Sequence, residues 1–394
     1  GAPPTVPLPG PLGRWATCDA TSWRDCGVQV GSQMKDLIAD FVARDRTTTA
    51  LLSWAGTPKG STVLDQYEEL HRAAYPDLVN EVEGLAEGSG QPFRTLLVVN
   101  LINELVWSAG LAGPAAEIRI GGRDTLKLAP GHKGCSDYHI ATATTSAWGH
   151  TEDGEPSFVN TTYMVKARVR LASGVVEGYT AFAYAGAIAG WAWGGNIGGV
   201  AVSVNALTVP TVKPGLGVAF VAADVLRAPS IDAAVNRTRV RGQASGQHFN
   251  LGAVVDGAPV QLSIETSPNG TSVQRVADVP GGRYAHFNQY LHTAGIPRIG
   301  DYESSVHRLA RAAQFSTGLS PPSAPADITK VLSDTLDLQY PIYRSMNHGA
   351  SSTLDPYTTQ TTTLFDIWGG VAHVWAGGPA ANREPDFSWS LRSS

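Results

Sequence analysis

Cysteine is scarce in this chain: 394 residues hold three, Cys18, Cys26 and Cys135. Charge is scarce as well, with 16% Asp, Glu, Lys and Arg and a formal net charge of −5. The basic residues form no block, and nucleic-acid binding needs a basic face, so that class of partner is excluded. The ten histidines show no H-x-x-x-H pair and no His/Cys cluster at ligand spacing, so no metal is expected. No glycine-rich phosphate loop follows a strand and opens a helix, and no cofactor is expected. Charged side chains are missing altogether from Gly178 to Val212, a length that raises the question of a membrane span. Two Gly-Gly pairs, Asn196, Asn205 and Pro210 interrupt that stretch, and Val200–Val204 reads as a buried strand, so no span is expected. No signal peptide is visible ahead of the Pro/Gly-rich start. Cys18 and Cys26 either close a small disulfide loop or remain two free thiols. Three N-x-[ST] sequons, at Asn160, Asn236 and Asn269, are close to what chance supplies in a chain this rich in Ser and Thr. Cytoplasmic and secreted locations both stay open, as does a homo-oligomer.

Apolar residues and glycine are abundant: 43% hydrophobic content and 43 glycines. The length allows one large domain or two ordinary ones, with a sizeable core. Up to about residue 106 the apolar spacing predicts helices over 27–45, 61–75, 76–88 and from Pro92 onward. The third of these opens on Pro76-Asp77 and stops at Gly88-Ser89-Gly90. After Cys135 the period changes from 3.6 to 2. Strands are predicted near 136–142, 146–151, 157–171, 178–185, 190–194 and 199–206. Helices follow at 217–227 and 230–240. Further strands fall at 248–255, 259–266 and 271–276, the last two joined by an Asn269-Gly270 hairpin turn. A short strand at 284–288, helices at 303–315 and 325–335, and strands at 361–368 and 371–376 complete the chain. That order packs economically as two stacked antiparallel sheets with helices on the outer faces.

The change of period falls at Gly134-Cys135. A cysteine released there as a new N-terminus carries a nucleophile and a base in one residue. Its thiol attacks, and its α-amino group, with a reference pKa of about 8, takes the proton. Gly134 suits a cleavage point, since it permits a strained backbone and leaves its carbonyl uncrowded. Two other readings need no cleavage: Cys135 as a buried structural thiol, or a papain-like site with His286 or His307 as base.

Several segments resemble the N-terminal-nucleophile hydrolases. More narrowly, they are similar to the acyl-coenzyme A:6-aminopenicillanic acid acyltransferase family and its branch of β-alanyl-amine hydrolases. Tyr75–Gly90 followed by Pro92-Phe93 resembles that family's propeptide helix pair, and Gly134-Cys135 resembles its self-cleavage site. Gly149-His150-Thr151-Glu152-Asp153 resembles the Gly-His-Asn-Glu-Asp run of the branch. Gly198–Leu207 resembles the strand bearing an active-site asparagine, here Asn205, and His286-Phe287-Asn288 the strand bearing an oxyanion-hole asparagine. Ser305–Arg308 and Thr363-Leu364-Phe365 match late family positions. Thr151 stands where the family usually has Asn. Gln360 stands about where the penicillin acyltransferase has Arg, which speaks against penicillin chemistry.

The resemblance implies an α+β, four-layer αββα sandwich over 135–394, preceded by a helical propeptide, 1–134, that stays bound as a small subunit. It implies hydrolysis of an N-acyl amine, favoured as a β-alanyl amine, through a Cys135 thioester. Transfer of the acyl group to an acceptor amine and a non-catalytic binding or structural module are the alternatives. Asn288 would donate to the oxyanion, with Asn205 assisting, and Asp153 would orient the α-amino group. Glu152 would pair with a β-alanyl ammonium. Trp191 and Trp193 would line a pocket for an aromatic amine, or simply pack on one face of a sheet. Arg308 is assigned to substrate binding.

Overall fold

The computed structural model describes residues 10–111, 117–120, 124–127, 133–154, 158, 160–296, 302–318, 321–351, 355, 357–379 and 383–392. Among the described residues the first strand is β1 (Trp15–Ala20), followed by helices α1 (Trp23–Gln33), α2 (Lys35–Arg44), α3 (Arg46–Ala55), α4 (Pro58–Ala74), α5 (Pro76–Ser89), α6 (Phe93–Asn100) and α7 (Ile102–Ser108). The predicted helix over 27–45 is two helices broken at Met34, and the one from Pro92 is broken at Leu101. Ser22 caps α1 through the amide of Asp25. The Cys18 and Cys26 pair is a disulfide, tying β1 to α1.

Helices α1 and α5 approach closely because glycines meet across them. A Cβ on Gly27 or Gly31 would run into the carbonyls of Glu81 and Leu85, and one on Gly84 or Gly88 into those of Arg24 and Val28. Spacing of four residues on both helices lines the glycines up on one face of each.

A two-stranded ribbon, β2 (Glu117–Ile120) and β3 (Asp124–Lys127), precedes the main sheets. Next come β4 (Lys133–Ala141), β5 (Ser146–Gly154), β6 (Thr162–Arg170), β7 (Val176–Tyr184), β8 (Trp193–Asn196), β9 (Ala201–Leu207), α8 (Val218–Leu226) and α9 (Ile231–Thr238). The chain continues through β10 (Gly246–Val255), β11 (Ala258–Ser267), β12 (Gly270–Arg275), β13 (Arg283–His286), α10 (Tyr302–Thr317), α11 (Pro325–Leu332) and α12 (Met346–Ser351). It closes with β14 (Thr358–Asp366), β15 (Val371–Ala376) and β16 (Phe387–Ser390).

One sheet has eight strands in the order β1-β6-β7-β8-β9-β10-β11-β12, the other six in the order β13-β4-β5-β14-β15-β16. The sheets face each other; α1, α8 and α9 lie on the first, α10 and α11 on the second. The architecture is therefore the four-layer αββα sandwich. Gly149 marks where α11 crosses its sheet: a Cβ there would collide with Leu332 and Ile328.

Candidate active site

Cys135 lies in β4, with the Gly134–Cys135 bond inside the strand. Strand β5 pairs with β4 so that Gly134 faces Asp153, Cys135 faces Glu152 and Asp137 faces His150. Side chains alternate across a strand. Cys135 and Asp137, with Glu152 and His150, therefore project together into the layer between the sheets. Gly134 and Ser136, with Asp153 and Thr151, face the α10 side.

The inward face is a hydrogen-bonded row. Cys135 Sγ lies 3.8 Å from Glu152 Oε2. That oxygen meets His150 Nε2 at 3.2 Å, and His150 Nδ1 meets Asp137 Oδ1 at 2.8 Å. Tyr184 on β7 donates to the other oxygen of Glu152. Cys135 is 1% exposed; His150, Glu152 and Asp137 are fully buried. Burial opposes charge on His150, yet the Asp137 and Glu152 carboxylates outweigh it and raise its pKa to about 9. Burial alone would push Asp137 up, but His150 brings it below the usual carboxylate range. The row thus runs from Asp137 through a His150 that holds its proton tightly to Glu152, with a thiol at its end.

The outward face holds the backbone around Gly134 and Cys135. Arg308, buried on α10, donates to the carbonyl oxygen of Cys135 at 2.6 Å and to Asn288 Oδ1 at 3.0 Å. Asn288 Oδ1 in turn accepts the Cys135 amide at 3.1 Å. Arg344, also buried, donates to Asp153 Oδ2 at 2.8 Å, Asp355 Oδ2 at 2.7 Å and Ser304 Oγ at 2.6 Å. Thr359 adds a bond to Asp153 Oδ1 at 2.6 Å. Burial still leaves the Asp153 carboxyl above its ordinary pKa despite Arg344.

Several expectations change against this geometry. Asn288 presents its oxygen, not its N–H, to Cys135; its amide nitrogen donates to the Ala206 carbonyl at 3.1 Å. Asn205 Nδ2 on β9 is a buried N–H without a bonded partner among the described residues, and its Oδ1 meets His248 at 3.1 Å. Arg308, assigned to substrate from the sequence, instead donates to the backbone carbonyl of Cys135. Asp153 sits beside Gly134 in an ion pair with Arg344. Trp191 lines a cleft with Asn103, Trp107, Ala206 and Gln247, next to Asn205. Trp193 does not join it: its Nε1 donates to Thr361 at 3.0 Å and its ring stacks on Phe182 and Trp389 between the sheets. Of the papain-like bases, His286 bonds Glu265 at 3.1 Å, while His307 is part-exposed on α10 and bonds Asp337 at 2.7 Å.

Sequence reasoning missed Arg344, Tyr184 and Asp137. It also missed two buried groups, Cys135/His150/Glu152 and Asp137/His248/His286, whose potential ligand atoms lie within 4.8 Å of one another. Both nitrogens of His150 and of His248 already meet protein groups, so each set reads as a hydrogen-bond network rather than an open metal cradle. Among the described residues no helix is long and apolar enough to cross a membrane.

The chain is 22% identical over 378 residues to the beta-alanyl-dopamine/carcinine hydrolase of Drosophila melanogaster, covering 90% of each chain. Among solved structures it is similar to a Caenorhabditis elegans N-acylethanolamine-hydrolyzing acid amidase ortholog, at 14% identity and a TM-score of 0.39, over 65% of this chain and 99% of that one. A conjugated bile acid hydrolase from Clostridium perfringens aligns at 10% identity and a TM-score of 0.38, over 65% and 92%. Superpositions this loose carry no residue correspondences. The model of one family matches residues 141–381, more than half of the chain, starting just after Cys135. On that match the chain belongs to the acyl-coenzyme A:6-aminopenicillanic acid acyl-transferase family.

Proposed function

We propose that this enzyme is a self-cleaving cysteine amidohydrolase that splits β-alanyl amines through a Cys135 thioester. The observation that carries the reading is the placement of Glu152, a fully buried carboxylate, 3.8 Å from the Cys135 sulfur. A β-alanyl group places its ammonium two methylenes beyond the carbonyl that the sulfur attacks, within reach of that carboxylate. A buried carboxylate beside the sulfur favours an acyl group that brings a cation to it, since an uncharged acyl group forms no ion pair there.

Cleavage at Gly134-Cys135 would free the α-amine that accepts the thiol proton and later hands a proton to the leaving amine. Asn205 Nδ2 is the donor available to the oxyanion. The cleft lined by Trp191 and Trp107 would take the amine side of the substrate. Segment 1–134 would remain as a bound small subunit after the cut. It supplies edge strand β1 and buried polar ties to the remainder: Glu81 pairs with Arg227, His71 Nε2 accepts the Gly217 amide at 2.9 Å, Glu104 accepts the Val218 amide at 2.8 Å, and Asn100 bonds Gly186 and Ile188.

The test uses the wild-type protein. Denaturing intact mass should show two fragments meeting at Gly134/Cys135, and one uncut chain for Cys135→Ala. A β-alanyl amine should be hydrolysed at least about 100-fold more efficiently than the matching N-propionyl amine. Equal kcat/KM for the two acyl groups sinks the substrate assignment. Adding an acceptor amine shows whether transfer competes with hydrolysis.

A further inference from the structure

In the uncut chain the Cys135 nitrogen is an amide whose N–H donates to Asn288. An amide nitrogen has no basic lone pair. The base that serves a mature N-terminal cysteine is therefore missing when self-cleavage must occur. A thiol with a reference pKa of about 8.5 is mostly protonated at neutral pH, and Cys135 is sealed from solvent. A protein group has to take its proton.

Resting on the self-cleaving reading above, the geometry points to Glu152, held in place by His150 and Asp137, as the proton acceptor that activates Cys135 in the uncut chain. Glu152 Oε2 is the carboxylate oxygen at 3.8 Å from Sγ. Groups facing it include the thiol on β4, His150 on its own strand and Tyr184 on β7. Asp137 stands behind His150, accepting also from Ser203 at 3.3 Å. Asp153 points to the opposite face, where Arg344 pairs it. His150, bonded to that same Oε2, and Asp137 behind it are positioning residues that hold the Glu152 carboxylate aimed at the sulfur.

The step balances. The thiol proton passes to Glu152, and the thiolate sulfur bonds to the Gly134 carbonyl carbon. The Gly134–Cys135 C–N bond then breaks as the departing nitrogen recovers the proton from Glu152, giving a Gly134 thioester and a free α-amine. Water attacks the thioester and the C–S bond breaks; one water proton goes to the sulfur and the other leaves through the new α-amine to solvent, giving a Gly134 carboxylate and the Cys135 thiol. From then on the α-amine is the base, and Glu152 is released to meet the substrate cation. One carboxylate serves two stages of the enzyme's life.

The experiment follows cleavage of the full-length chain by intact mass from pH 6 to pH 9, for wild type, Glu152→Gln, Glu152→Asp and Cys135→Ala. No substrate is present, so substrate affinity does not enter. Glu152→Gln should cut at least about 100-fold more slowly at pH 7. Its deficit should shrink toward pH 9, where hydroxide stands in for the missing carboxylate as base. Glu152→Asp keeps a carboxylate and should cut faster than Glu152→Gln at pH 7. Cleavage of Glu152→Gln at the wild-type rate, a deficit constant across pH, or equal rates for the Asp and Gln variants would each overturn this inference alone. A wild-type chain that stays uncut while hydrolysing a β-alanyl amine would overturn the self-cleaving reading with it.

Discussion

Arg344 and Asp153 meet at 2.8 Å beside Gly134, both fully buried. The same guanidinium holds Asp355 at 2.7 Å. Arg344→Leu would leave two carboxylates in the interior without that cation, and breaking a buried pair by removing one partner costs about 3–5 kcal/mol. Urea denaturation should show a loss of that size. A loss below about 1 kcal/mol would mean that water or another group satisfies the two acids.

Gly134→Ala tests the same contact from the other side. An added Cβ would lie 2.8 Å from Arg344 Nη1, so the guanidinium must move off Asp153 or the strand must shift. Self-cleavage, followed by intact mass, should slow by about tenfold or more, because displacements near 1 Å at a reacting bond are costly. Unchanged cleavage would show that Arg344 adjusts freely.

Asn205→Ala should leave the cleaved enzyme folded while lowering kcat by about 100- to 1,000-fold, the usual effect of losing one oxyanion donor, with little change in KM. The motivation is its buried amide N–H without a hydrogen-bond partner among the described residues, on β9, which packs against the strand that carries Cys135. A change confined to KM would place Asn205 in substrate binding instead.

Much of this site is legible in the sequence, and the rest is hidden for physical reasons. Gly-Cys at a change of period and the run Gly149–Asp153 are local signals, and alternation puts Glu152 and Asp153 on opposite faces of β5. The sandwich follows from the order of periodic segments. Arg344 leaves no such trace: it lies in irregular chain between α11 and α12, 191 positions from Asp153. The buried histidines hide differently. His139, His150, His248 and His286 sit at inward positions on four strands, β4, β5, β10 and β13, where pattern rules expect apolar side chains. Strands β1 and β16 were missed because both are edge strands, short and half exposed. Helix α3 was missed because Arg46–Ala55 is rich in Thr, a weak helix former, and is capped by Asp45.

The close packing of α1 on α5 sets a stability prediction. Gly84→Ala would push a Cβ into the Arg24 carbonyl, a backbone atom that cannot step aside. Overpacking of this kind costs about 1–3 kcal/mol. Gly270→Ala has nothing within 4 Å of the added carbon and serves as the control. Comparable losses for the two would mean that the helix pair opens at no cost.

Glu104 makes stability depend on pH in an unusual direction. The residue is fully buried on α7 and accepts the Val218 amide at the start of α8, while its Oε2 lacks a hydrogen-bond partner. Burial dominates and raises its pKa to about 8, against 4.5 in the open. Between those values the folded chain holds a proton that the unfolded chain has released, so stability falls as pH rises from about 4.5 through 8. His71, close by, acts oppositely: burial lowers its pKa to about 4, so its share of stability is complete above 6.5 and is lost as pH falls toward 4. Glu104→Gln keeps an acceptor for the Val218 amide and removes the charge. It should raise the urea midpoint at pH 8, change little at pH 5, and flatten the decline between them. If Glu104→Gln lowers stability at pH 8, the carboxylate is paired there, and the buried tie between α7 and α8 is ionic rather than neutral.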